Sequence, residues 1–118
     1  MSVTIGSTMG RVTITQLSDV WAQSRDAPLS LFESEEPVVE AGSYVIEPGE
    51  RVPEAGTTSH EGDELSVILS GRLDLVVDGE RSTVGPETMT VIPGGTPHFS
   101  ENTGDEPARL VYVVLGEL

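Results

Sequence analysis

The chain contains no cysteine and no lysine, has only two histidines, and devotes 4% of its 118 residues to aromatic side chains. Without cysteine there are no disulfides, thiolate metal sites, iron–sulfur clusters or thiol nucleophiles. All six basic residues are arginine, set against twenty Asp and Glu, and the formal net charge is −14. A surface of that sign repels phosphate backbones, and no basic stripe offsets it. Nucleic acid and anionic membrane surfaces are therefore poor partners. No apolar run approaches the ~18 residues of a membrane span. Met1 to Gly10 shows neither the basic start nor the apolar stretch of a signal peptide, so the expected location is cytoplasmic.

With so few aromatics, Val, Ile and Leu must build the core. The length fits one domain over residues 1–118. Within it, residues 1–37 read as an N-terminal strand, turn and loop, and residues 38–115 as a barrel. Thirteen glycines and eight prolines, without a period, point to many short strands joined by turns. Strands are expected over Arg11–Thr15, Val38–Ile46, Glu64–Ser70, Arg72–Val77, Arg81–Val84, Met89–Ile92, His98–Asn102 and Arg109–Leu115. A helical turn is expected around Trp21. Asp78-Gly79 is a two-residue hairpin signal, because both positions tolerate positive φ. Arg109–Leu115 is apolar on both faces, which predicts a strand covered on both sides. Strands spaced by eight to twelve residues argue for an all-β sandwich or barrel.

The two histidines concentrate the chemistry. His60-Glu61-Gly62-Asp63-Glu64 places an imidazole and a carboxylate four residues apart, on one face of an extended chain. His98 follows Pro93-Gly94-Gly95-Thr96-Pro97, a turn whose prolines and glycines hold its backbone. Taken singly, each stretch also reads as an acidic loop with a stray histidine, or a histidine capping a turn.

Together they resemble the two motifs of the cupin superfamily, whose fold is a double-stranded β-helix or jelly-roll barrel. In its first motif His60 takes the second histidine place and Glu64 the glutamate, and Leu65 to Ser70 lead to Gly71. In the second, Gly85, Pro93, Gly95, His98 and Asn102 match, with a spacer of seven residues between Gly85 and Pro93. The resemblance runs from about Val38 to Leu115. It implies one divalent transition metal ion held by His60, Glu64 and His98. Thr58 stands where the fuller motif has another histidine, and a hydroxyl is a poor ligand for such an ion. Two imidazoles and a carboxylate resemble the facial triad of non-haem Fe(II) oxygenases, so iron is the first choice; Mn, Ni, Co and Zn suit the same donors.

The resemblance implies a small-molecule substrate, with an Fe(II) dioxygenase or oxygenase as the leading function. Redox-neutral isomerase, cyclase or lyase chemistry is an alternative, and a non-catalytic binding or sensing module another. The resemblance also implies a homodimer, through edge-strand exchange or sheet packing, with the segment through Ile14 as the candidate contact. If Glu64 and His98 face inward, alternation sends Ser66, Ser100 and Asn102 inward too. Thr58 and Ser59 are placed to hydrogen-bond around the metal. Tyr44 and Tyr112, on strands lining the barrel, are candidate catalytic acids or donors, with plain packing as the other reading. Arg51 and Arg72 read either as clamps for a carboxylate or as surface ion pairs.

Because imidazole must be neutral to bind metal, metal affinity is expected to fall between neutral and mildly acid pH. A titration showing equal affinity at both would argue against the two histidines as ligands.

Overall fold

The computed structural model describes the backbone of Ser7–Met9 and all of residues 12–118. Among the described residues, ten antiparallel strands form two sheets. They are β1 (Ser7–Met9), β2 (Val12–Gln16), β3 (Val38–Ile46), β4 (Arg51–Val52), β5 (Asp63–Ser70), β6 (Leu73–Val77), β7 (Glu80–Val84), β8 (Thr88–Ile92), β9 (His98–Glu101) and β10 (Ala108–Leu115). The larger sheet has the order β1-β2-β8-β5-β10-β3 and the smaller β4-β9-β6-β7. Two short 3-10 helices, Leu17–Asp19 and Trp21–Ser24, stand where one helical turn was expected. No helix among the described residues is long and apolar enough to cross a membrane.

The hairpin between β6 and β7 turns at Asp78 and Gly79, with φ of 51° and 78°. Both residues take the left-handed conformation that a type I′ turn demands. Aliphatic side chains from both sheets meet in two clusters. One gathers Val12, Leu75, Val77 and Ile92, and the other Ile46, Ile68, Leu73, Val84 and Ala108; Ile14 touches both. Each such side chain, fully buried, contributes about 1.5–3 kcal/mol.

Three expectations need correction. Strand β10 is covered on one face only: Arg109 is exposed and Val111 is 41% exposed, while Ala108 and Val114 are buried. It lies between β5 and the edge strand β3, and at Val111 the outward face of the sheet meets solvent. The short strands β1 and β4 were not anticipated. Two residues between Gly49 and Pro53 carry too little alternation to be read, and Arg51–Val52 extends only through its pairing with Ser100 and Glu101. The expected strand start at Arg11 lies outside the described residues. So does much of the segment assigned to a dimer contact; its Ser7–Met9 portion pairs within the chain, against Val12–Ile14.

Strand β9, which begins at His98, is fixed to β6 by register and by a buried polar network. Asp74 accepts hydrogen bonds from Arg81 (2.8 Å), Thr83 (2.8 Å) and Thr103 (3.2 Å), and Arg81 also donates to Glu101 (3.0 Å). Burial alone would raise the Asp74 pKa, but these bonds and the guanidinium charge outweigh it and hold the carboxyl below its ordinary value.

The segment carrying His60 is seated by two close backbone approaches. A Cβ on Gly62 would overlap the carbonyl oxygen of Leu115, and one on Gly94 the carbonyl oxygen of Glu61. Neither obstacle is a flexible side chain, so the backbone itself would have to move. Gly62→Ala is expected to destabilise the fold by about 1–3 kcal/mol in urea unfolding. An unchanged midpoint would show that this approach is not held in solution.

Candidate functional site

Between the sheets lies a cavity of about 300 Å³. Alternation along each strand sets its walls. Glu64, Ser66 and Ile68 come from β5, His98 and Ser100 from β9, Leu110, Tyr112 and Val114 from β10, and Glu40, Tyr44 and Ile46 from β3. Leu73, Leu75, Val84, Thr90 and Ile92 complete much of the wall, which is mostly aliphatic. Glu40 and Tyr44 are exposed as well as lining, so the cavity opens along the edge strand β3.

His60 and His98 reach this cavity from different elements, brought together by main-chain bonds. Thr58 N–H donates to the His98 carbonyl (2.8 Å) and His98 N–H to the Thr58 carbonyl (2.9 Å). Gly95 N–H donates to the His60 carbonyl (2.7 Å), and Gly94 N–H to Asp63 Oδ1 (2.9 Å). His60 Nε2 then stands 2.9 Å from Glu64 Oε2, and Ser66 Oγ donates to Glu64 Oε1 at 3.2 Å. His98 is 6% exposed, and its Nδ1 lies 2.9 Å from the Thr96 carbonyl. A carbonyl can only accept, so Nδ1 carries the proton and Nε2 keeps its lone pair.

The donor chemistry suits a divalent ion. Adjacent ligands at about 2.1 Å from one ion stand roughly 3 Å apart, which is the spacing of His60 Nε2 and Glu64 Oε2. The third donor is wider: the imidazole centroids are 6.4 Å apart, tilted by 54°. As placed, no three His, Cys, Asp or Glu side chains among the described residues stand close enough to hold an ion together. Binding through all three therefore requires an imidazole to swing inward. His60 is the freer one, its side chain 31% exposed and on a loop.

The remaining expected site residues divide. Thr58, Ser66 and Ser100 line the cavity. Ser59 does not; it is exposed, because the chain flanking His60 turns its neighbour outward. Asn102 does not either. It is fully buried, and its amide nitrogen donates to the carbonyls of Ile46 (2.9 Å) and Glu106 (2.8 Å), while its oxygen accepts from Gly104 N–H (2.9 Å). Strand β9 ends at Glu101, so alternation no longer governs Asn102, which pins the following loop instead. Arg51 is neither a clamp nor half of an ion pair. Its guanidinium donates to the carbonyls of Pro53 and Gly56 (2.8 Å each) and lies 3.7 Å from the Phe99 ring centre. Arg72 lies outside this cavity.

Both tyrosines line the cavity. Tyr112 Oη donates to Glu40 Oε1 at 2.7 Å, its ring lying over Gly42, where a Cβ would come within 2.8 Å of the hydroxyl. Glu40 was missed in the sequence, although alternation back from Tyr44 through Gly42 reaches it. The hydrogen bond to Glu40, then burial and the charges of Glu40 and Glu64, push the Tyr112 phenol above its ordinary value of 10.0. In a Tyr44→Phe background, phenolate absorbance should therefore show Tyr112 ionising above pH 10, and Glu40→Gln should bring it down. A Tyr112 titration indifferent to Glu40→Gln would contradict the pairing.

A family model described as a cupin domain matches residues 42–114. Polyketide synthase CurC from Streptomyces cyaneus is 34% identical over 71 residues, which cover 60% of this chain and 45% of that protein. The chain thus matches less than half the length of this curated relative. A cupin superfamily protein from Desulfitobacterium hafniense superposes with a TM-score of 0.58 at 17% identity, over 95% of this chain and 84% of that one. A cupin conserved barrel domain protein from Salinispora arenicola gives 0.58 at 22% identity, over 92% and 78%. With the two antiparallel sheets and both motif histidines on one cavity, the match across most of the barrel establishes that this chain belongs to the cupin family.

Proposed function

We propose that the protein is a metal-dependent cupin enzyme acting on a small organic molecule inside the barrel, with His60, Glu64 and His98 as the metal ligands. The observation that carries this reading is the presence of all three on one cavity, with the His60–Glu64 pair already at the separation of neighbouring ligands. A divalent ion held there supplies either oxygen activation, if it is Fe(II), or Lewis-acid polarisation of a substrate oxygen.

The chain's own residues define the rest. The Thr96 carbonyl holds His98 in the tautomer that leaves Nε2 available. Ser66 orients the Glu64 carboxylate through Oε1 and leaves Oε2 toward His60. Ile46, Ile68, Leu73 and Leu110 exclude water from the bound molecule and raise the strength of every polar contact within. At the open end the Glu40 carboxylate, held by the Tyr112 hydroxyl, stands where it can accept a proton from a substrate oxygen.

Oxygenase chemistry is the leading reaction class, on the composition of the ligand set. A redox-neutral reaction on a polyketide-derived molecule is the second, favoured by the 34% identity with a protein named as a polyketide synthase component.

Elemental analysis of protein purified without a metal-affinity tag, beside His98→Ala, tests the metal reading. About one equivalent per chain is expected in the parent and close to none in the variant. Protein that stays metal-free after reconstitution would overturn it. Iron with substrate-dependent oxygen uptake selects the oxygenase; turnover under anaerobiosis with Mn or Zn selects the redox-neutral reaction.

A further inference from the structure

The cavity has a second polar pole, where Glu40 and Tyr112 are hydrogen-bonded to each other. A phenol has one O–H, and that of Tyr112 is given to Glu40. Toward the cavity the Tyr112 oxygen can therefore only accept, and the Glu40 carboxylate accepts by nature. At the inner pole the Ser66 proton is likewise given to Glu64. Between the poles the walls are chiefly aliphatic, and among the described residues no Lys or Arg side chain lines them. Arg51, close in sequence to lining Val52 and Pro53, has its guanidinium occupied by two backbone carbonyls and the Phe99 ring.

Away from the metal, a carboxylate or phosphate at the Glu40–Tyr112 pole would meet a carboxylate and no Lys or Arg side chain. An alkylammonium would share about 300 Å³ with a divalent ion once the metal is loaded. What this pole complements is a hydrogen-bond donor without charge, carried on an apolar body. We propose that Glu40 and Tyr112 form a recognition site for a hydroxyl group, so that this pole of the cavity selects neutral phenols or enols over anions. The inference rests on the cavity being the reaction chamber of the proposed enzyme, and names the substrate class for it.

The test is made on metal-stripped protein, so that it fails or succeeds independently of the metal analysis. Ligand-detected NMR titrations compare naphthol, its methyl ether and the corresponding naphthoate. Naphthol should bind at least about tenfold more tightly than the other two, the advantage of one hydroxyl donating to a charged acceptor. In Glu40→Leu the preference over the methyl ether should shrink to within about twofold, because the charged acceptor is gone. The ether itself should bind that variant no more weakly than the parent, which also shows the cavity intact. Equal affinity for the ether, tightest binding of the naphthoate, no binding of any probe, or a preference that survives in Glu40→Leu would each overturn the proposal.

Discussion

The site depends on a seam of main-chain hydrogen bonds joining the Thr58–Asp63 segment to the Pro93–His98 turn. These two stretches are far apart in the chain, and neither is regular secondary structure over most of its length. The paired bonds between Thr58 and His98, with the bond from Gly95 to the His60 carbonyl, place both imidazoles on one wall. Gly62 and Gly94 are required because the seam is closed on both sides by backbone, against Leu115 and Glu61. These two glycines thus act through what they leave out. Side-chain chemistry at His60 and Glu64 rests on backbone that has no room for a side chain.

Acidity acts on two scales. Over the whole chain, a charge of −14 favours the approach of cations and disfavours anions. Within the cavity, neither lining carboxylate is left alone: Glu40 is bonded to Tyr112, and Glu64 to His60 and Ser66. Such pairing lets carboxylates sit against aliphatic walls without the penalty of an unpartnered buried charge. It also decides what each pole can offer a ligand. Tyr112 and Ser66 give their protons to these carboxylates.

Two arginines serve structure. Arg81 ties β7 to β9 across Asp74, and so steadies the strand that begins at His98. Arg51 gathers the loop after β4, where Val52 and Pro53 enter the cavity wall, and its charge lies over Phe99. Each guanidinium meets its partners with the directional donors that a lysine lacks. In a chain without lysine, these two planar cations hold β9 and its neighbours in place, at a distance from the chemistry.

Much of the fold was legible because its signals are local. Alternation placed Val38–Ile46 at its observed ends, and Asp78-Gly79 marked a turn whose φ values only a few residue types tolerate. The histidine and glycine spacing was legible through the resemblance to cupins, and alternation correctly put Ser66 and Ser100 on the cavity wall. Asn102 was misjudged because alternation ends where a strand ends, and the strand's end is set by its partners. Arg51 was misjudged because its partners are carbonyls, which any sequence possesses. Glu40 was passed over because its meaning comes from Tyr112, seventy-two positions away. By itself the sequence determined most of the strands, the turns and the kinds of polar side chain on offer, since these follow from neighbouring side chains and backbone sterics. Only the tertiary structure decided which polar groups spend their protons on one another, because that depends on pairing across sheets between residues remote in the chain.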